Sequence, residues 1–404
     1  MKKIVIVGGG ASGLVASIYG KKKENEVIVL DKNEVFGKKI LATGNGRCNY
    51  WNKDQDFIHY HSTNKEQLEY ILTKENKKEI MKFFLEIGIL PKVKGTYYYP
   101  NSNQASSIRD ALVQEAKNKG VSFLSKREVN DIKKEKEKFL VITNQEEILC
   151  DKVVLATGSY ASLKEKTNGY DLAKKFHHQI VEVLPALVQL KAKGPFLKKW
   201  SGIRSDVVIK LYENHELIKQ EAGEIQLTDY GISGICTFNL SHFVSRGLKE
   251  KKQEQVSIDF LPIVNSSSKE EFINWVEKRN KQVKNRTLFE LFEGILNYKL
   301  VNVLLTEAKI NPQKHYENLT QAEKRNLSRI LKDFRLDILG TNDFIKAQVC
   351  SGGVRLDEIN VNTFESKKEK NLYLIGEMLD VDGDCGGYNL SFCWISGMKC
   401  GKDL

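Results

Sequence analysis

Proline is scarce in this chain, 6 in 404 residues, which excludes a collagen-like or proline-rich scaffold. The 7 cysteines (48, 150, 236, 350, 385, 393 and 400) are scattered, odd in number and contain no C-x-x-C. That usage excludes a disulfide framework and a zinc site, and it is the pattern of a reduced cytoplasmic protein. No apolar run approaches the ~20 residues of a membrane helix, so no membrane partner is expected. Met1-Lys2-Lys3 ahead of apolar 4–7 has the outline of a secretory leader. Three glycines at 8–10 are poor material for a leader's apolar helix, and 26–31 pairs with the first run as a second strand. Residues 3–7 are therefore read as a strand.

What is present is globular. Apolar residues make up 41% of the chain and run through all of it, which excludes disorder as the main state. The length suits about two to three domains. Lys+Arg exceed Asp+Glu by 63 − 52 = 11, but many lysines stand in mixed Lys/Glu runs such as 133–138 and 249–252. Such runs make solvated faces, so a nucleic-acid partner is not favoured.

The opening reads strand (3–7), glycine turn, helix (12–23) and strand (27–30), the strands apolar on both faces as parallel sheets require. Thr63-x-x-Glu66 is a capping box ahead of a helix to about 73, and helices are expected over 77–87 and 107–119. Tyr97-Tyr98-Tyr99-Pro100 reads as a strand end and turn. Strands follow at 121–125, 128–132, 138–143, 147–150 and 152–156. Residues 187–262 are strand-like. Residues 267–335 are helical, with capping boxes at Ser267, Thr287 and Thr320. A buried strand at 372–376, a glycine turn and a terminal helix close the chain. The expected fold is α/β: a Rossmann-like domain of parallel sheet plus β-meander, 1–190 with 340–404. It carries a β-barrel-like insert, 191–265, and a helical insert, 266–339.

Gly8-Gly9-Gly10-Ala11-Ser12-Gly13 fits G-x-G-x-x-G between a strand and a helix. Gly8 allows the tight turn, Gly10 lets a pyrophosphate approach the backbone, and Gly13 lets helix and strand pack closely. Free N–H groups of Ala11, Ser12 and Gly13 then face the phosphates. Asp31, ending the second strand, is placed for ribose hydroxyls, with Lys32 beside it. The strands leading into Ala156-Thr157-Gly158, and Gly376-Glu377 after a late strand, point to FAD over a nicotinamide nucleotide. A second G-x-G-x-x-G is lacking, since Gly44-x-Gly46 ends in Asn49, which speaks against a separate NAD(P)H domain. Gly386-Gly387 opening the terminal helix would stabilise negative charge on a reduced flavin. Asp380, Asp382 and Asp384 lack the later Glu of a calcium loop, so no metal is assigned.

Several segments carry a closer resemblance: 37–49, Pro185-Ala186-Leu187-Val188, Gly352-Gly353-Val354, and above all 376–390. With them the chain resembles the bacterial FAD-binding oxidoreductases of the BaiN/aminoacetone-oxidase type. The resemblance implies a three-part flavoprotein with FAD lying along two segments. One contributes Lys39, Thr43, Gly44 and Asn49. The other contributes Gly376, Glu377, Asp380, Gly386, Gly387, Tyr388, Asn389 and Leu390. Val129 would sit near the adenine. The chain departs from the family at Thr228-Asp229-Tyr230-Gly231-Ile232-Ser233-Gly234-Ile235, which lacks His and Pro, and at Cys350 and Cys385, where Thr is common.

The remaining residues divide between packing and chemistry. His177-His178 reads as a helix cap or core histidine before a catalytic base, and Cys48 as a packed residue before a redox thiol. Tyr97–Tyr99 either line a cavity or pack, and Arg47 is a candidate for phosphate or an acidic substrate. The expected activity is an FAD-dependent oxidoreductase moving hydride between a small organic substrate, an amine with O2 as acceptor, and flavin N5. The alternative enzyme is an NAD(P)H-dependent reductase of enone or steroid-like substrates, NAD(P)H being a transient donor. An RNA-associated flavoprotein and a redox sensor are alternatives of another class. No catalytic residue is assigned.

Overall fold

The computed structural model describes residues 1–163, 167–266 and 268–404. The chain divides into two compact units, Met1–Leu184 with Val349–Leu404, and Pro185–Gln348.

The first unit is built on five parallel strands in the order Leu372–Leu374, Lys152–Leu155, β1 (Lys2–Val7), β2 (Asn25–Asp31) and Ser122–Ser125. Ile4, Val5 and Ile6 of β1 and Val153, Val154 and Leu155 beside it are fully buried, as unbroken apolar runs demand. Helix α1 (Ala11–Gly20) follows β1, and the terminal helix Tyr388–Asp403 packs along it. Glycines permit the close approach: a Cβ at Gly397 would lie 2.5 Å from the Ser12 carbonyl oxygen, and one at Gly401 2.7 Å from that of Ala16. A three-stranded meander, Val129–Glu135, Lys138–Thr143 and Glu147–Cys150, stands where expected.

The sequence misjudged one helix start. Thr63 caps nothing; its N–H and hydroxyl donate to Asp380, and only a 3-10 turn, Lys65–Gln67, and the single-turn helix Leu68–Ile71 follow. A buried carboxylate in need of donors outcompeted the local capping box. The next helix begins at Lys74 with Thr73 as its cap.

In the second unit, six strands close a barrel: Leu190–Ala192, Gly231–Ser233, Glu216–Leu227, Arg204–Glu213, Glu254–Asp259 and Phe334–Thr341. Helices Lys269–Gln282, Leu288–Glu293, Tyr298–Glu307 and Gln321–Lys332 share one apolar core with it, in which Trp200, Phe260 and Phe334 interlock. Thr287 and Thr320 form reciprocal capping boxes with Glu290 and Glu323. The capping box expected at Ser267 lies outside the described residues; Ser268 accepts from the Glu271 N–H at the start of that helix.

Candidate dinucleotide site

The first unit gathers its glycine turns at the C-terminal edge of the parallel sheet, where open α/β sheets bind ligands. Gly8, at φ +108, packs so tightly that a Cβ would stand 2.3 Å from the Ala156 carbonyl oxygen; one at Gly13 would stand 2.0 Å from that of Gly8. Gly10 differs: a Cβ there would meet nothing within 4 Å. Gly10 is also the cap of α1, with no side chain bonded to the first-turn amides and no acid in that turn. The first-turn amides of α1 therefore carry no side-chain cap at the positive end of a helix dipole.

Asp31 ends β2 as expected. One carboxylate oxygen accepts from the Gly9 N–H at 2.9 Å, the other from the Asn33 N–H at 2.8 Å, so it fixes the glycine turn itself. Lys32 beside it is exposed. In the turn after strand Lys152–Leu155, Gly158 faces Glu377 and Lys39, each 3.9 Å from where its Cβ would be. Lys39 pairs with Glu377 at 3.6 Å, and the Ser159 hydroxyl donates to the same carboxylate at 3.4 Å. Thr157 packs against Gly169, and Gly376, at φ +73, against Ser12. Residues more than 300 positions apart thus share one edge of the sheet.

The terminal-helix turn is placed differently. Gly386 and Gly387 are covered: Cβ atoms there would lie 2.9 Å from Tyr388 and from the Trp51 backbone, and 3.0 Å from Asn52, Tyr97 and the Asn49 amide. Asn49 turns its amide nitrogen to the carbonyls of Trp51 (2.8 Å) and Tyr98 (3.1 Å). Asn389 clamps both backbone groups of Gly383 (2.9 and 2.8 Å), Tyr388 stacks on His59 with centroids 4.6 Å apart, and Leu390 is half-buried. Asp384 sits between His59 (3.3 Å) and His61 (3.2 Å). These contacts show that Asp380, Asp384 and Asn389 hold the backbone of 380–390 in shape.

The other assignments resolve one by one. Thr43 bonds the Ile40 carbonyl at 2.6 Å, and Gly44 lies against the Asn49 N–H and Tyr99. Val129 is buried at the start of the meander, its carbonyl accepting from Asn168 at 2.7 Å. Cys48 is fully buried, and burial pushes its thiol up to about 12. His178 bonds Glu358 (3.0 Å) and Ser366 (2.8 Å) in the interior, a core histidine. Gly231–Ser233 form a barrel strand, and Gly234, at φ +107, caps helix Ile235–Lys249. Sequence reasoning missed Ser159 and Asn33, though each lies within two residues of a glycine or acid it singled out. It also missed Phe36 over Gly9 and Arg109 over Gly37, which no local signal marks. A cavity of about 420 Å³ beside the meander lies apart from the glycine turns. Its Lys134, Lys175 and Lys368 are paired with Glu369, Asp131 and Glu358.

This constellation fits a dinucleotide: an open glycine cradle, uncapped helix amides, and an acid at the end of the second strand. The family described as HI0933-like protein Rossmann domain matches residues 2–403. The chain belongs to the HI0933-like family. Within it, a 3-dehydro-bile acid delta(4,6)-reductase of Clostridium scindens is 37% identical, over 100% of this chain and 98% of the relative. A ribosomal RNA dihydrouridine synthase of Escherichia coli is 30% identical, over 99% and 97%. Among solved structures, a 3-ketosteroid delta1-dehydrogenase of Sterolibacterium denitrificans shares the fold at TM-score 0.53 and 9% identity, covering 100% of this chain and 99% of that one. The expected family, fold and class, an FAD-dependent oxidoreductase, are borne out together. No described helix of this HI0933-like protein is long and apolar enough to cross a membrane.

Proposed function

We propose that this HI0933-like enzyme reduces a carbon–carbon double bond conjugated to a carbonyl, with NAD(P)H as electron donor. Two full-length relatives support the reading, because their names denote one transformation: saturation of a C=C next to a carbonyl, in a 3-oxo steroid and in a uracil ring. Such a reduction adds a hydride at the β carbon and a proton at the α carbon. The observation that carries the reading is the contact of Ser12 with Gly376, which brings the two glycine turns together for one extended ligand.

Bound FAD supplies the hydride-carrying N5 centre. The chain's part is to hold and orient it. Gly10 and the amides of α1 would receive the pyrophosphate, Asp31 would fix the turn beside the ribose, and Val129 would border the adenine. Glu377, held by Lys39 and Ser159, would face the ribityl chain. The loop Thr43–Asn49, whose Asn49 meets Gly387, would border the reacting end. Anaerobic mixing of yellow holoenzyme with NADH, NADPH and amines tests the direction. Bleaching by a nicotinamide nucleotide, followed by reoxidation with a 3-oxo-4,6-diene steroid, supports the reductase. Bleaching by amines alone restores the amine oxidase.

A second reading places the uracil in RNA. In and after helix Lys269–Gln282, the run 278–286 holds Lys278, Arg279, Lys281, Lys284 and Arg286 and no acid, with Lys278, Lys281, Lys284 and Arg286 exposed. Salt-dependent retention of ribosomal RNA and dihydrouridine formation would favour it; no retention at low salt removes it.

A further inference from the structure

The loop after Lys38 is unusual in backbone and in charge. Gly44, Asn45, Gly46 and Cys48 all have positive φ, between 54° and 80°, two of them without glycine's freedom. Such strain costs on the order of 1–3 kcal/mol per residue and persists where surrounding contacts hold it. Here the base is fixed: the Cys48 N–H donates to the Thr43 carbonyl at 3.0 Å, Cys48 is fully buried, and Asn49 is bound to Trp51 and Tyr98. The tip, 44–47, is exposed.

At that tip stands Arg47. Its guanidinium lies 5.8 Å from the centroid of the Tyr99 ring, and Nε makes a long polar contact with the Gly44 carbonyl at 3.5 Å. Among the described residues no carboxylate is paired with it, and the sequence holds no acid between Glu34 and Asp54, against Lys38, Lys39, Arg47 and Lys53. Lys39 is already neutralised by Glu377. An arginine stacked on an aromatic face and free at its fork is pre-organised for a bidentate oxyanion. Asn49, two residues on, touches Gly387, so Arg47 borders the end where the reductase reading puts the reacting ring.

We propose that Arg47 receives a carboxylate carried by the substrate, making the enzyme selective for acidic over neutral conjugated ketones. The inference rests on the reductase reading for its location. A carboxylate on an apolar body suits the surroundings, because the partly buried Tyr97, Tyr98 and Tyr99 line the same strand.

The test uses holoenzyme, a 3-oxo-4,6-diene steroid acid and its methyl ester. Binding is read from the flavin absorbance change of the oxidised enzyme, independently of turnover. Wild type should bind the acid about 10- to 100-fold tighter than the ester, and its KM values should follow. In Arg47→Gln the ratio should fall to about 1, Arg47→Lys should recover part of it, and the FAD Kd should move less than about twofold. Equal binding of acid and ester by wild type overturns the assignment, as does a variant that weakens both equally or loses FAD. Binding of neither below about 1 mM overturns it too, as does an Arg47→Gln variant defective only toward RNA. Preference for the acid without turnover leaves Arg47 assigned and removes the reductase reading instead.

Discussion

Ser12 stands directly against Gly376: a Cβ built on the glycine would lie 2.3 Å from the serine hydroxyl oxygen. The contact sets the geometry of the unit. Ser12 also faces Gly397 and Ala16 faces Gly401, so α1 and the terminal helix run parallel with their N-termini in one direction. Gly387 begins the terminal helix about ten residues before Gly397, which at helical rise carries it ~15 Å beyond the start of α1. The open cradle at Gly10 and the covered start of the terminal helix at Gly387 thus lie at different levels along the same pair of helices.

Gly10 offers a clean separation of folding from binding. Because nothing lies within 4 Å of its Cβ position and its φ of −84° suits any residue, Gly10→Val should fold with a loss of no more than about 1 kcal/mol. Its FAD affinity should fall at least ~100-fold, since the side chain occupies the pyrophosphate approach. Gly13→Ala, with 2.0 Å to the Gly8 carbonyl, should destabilise the apoprotein by about 2 kcal/mol or more. Apoprotein melting and flavin titration check both; a Gly10→Val protein that keeps wild-type FAD affinity removes the cradle.

Much of this was legible in the sequence because the signals are local. β1, the glycine turn, α1 and Asp31 fall within 31 residues, and buried parallel strands announce themselves as unbroken apolar runs. What escaped depends on distant partners. Asp380 captures Thr63 from its capping role across 317 positions, and the two-residue strands Tyr60–His61 and Asp382–Gly383 pair with no pattern long enough to read. The covering of Gly386-Gly387 by Trp51 belongs to the same class: glycine there signals close approach, and the sequence does not say by what. Barrel strands and helices of the second unit read as separate inserts because periodicity changes between them, yet they bury a common core.

His178 separates a packing role from a catalytic one. Burial lowers its pKa below the ordinary 6.5, with Glu358 opposing, so the folded state holds it neutral. Its contribution is then present above pH 6.5 and lost as the pH falls and the unfolded chain takes up the proton. His178→Ala should cost about 1–3 kcal/mol at pH 7 by removing its bonds to Glu358, which keeps Lys368 and the Gln179 N–H, and to Ser366, and should flatten the loss of stability below pH 6.5. The flavin spectrum should not change; an altered spectrum at unaltered stability would place His178 in the chemistry.

The thiols should be inert. Burial pushes Cys48, Cys150 and Cys350 up to about 12 and Cys236 to about 11, and it raises Cys393 and Cys400 well above the ordinary thiol range. Native protein at pH 8 should react quickly with an aromatic disulfide reagent at one thiol at most, the half-buried Cys385, and at all 7 after denaturation. Fast labelling of Cys48 would revive the redox-thiol reading.

Glu254 should make the stability of the second unit depend on pH. It is 2% exposed, and among the described residues neither carboxyl oxygen has a hydrogen-bond partner. Cross-strand from it lies Glu213, and both crowd Gly247, whose Cβ would stand 1.8 Å from a Glu254 oxygen and 3.0 Å from one of Glu213. Burial first, then Glu213, raises its pKa from 4.5 to about 8, with Lys252 opposing and Glu250 reinforcing. The folded protein thus keeps Glu254 protonated where the unfolded chain ionises it. Below about pH 4.5 the group is neutral in both states and costs nothing; as the pH climbs to about 8 the penalty accrues, and above that it is constant. Glu254→Gln preserves shape without the charge, so it should match wild type near pH 4.5 and exceed it by on the order of 2–4 kcal/mol at pH 8. Urea unfolding at both pH values checks this; parallel profiles for the two proteins would show that Glu254 ionises freely in the folded barrel.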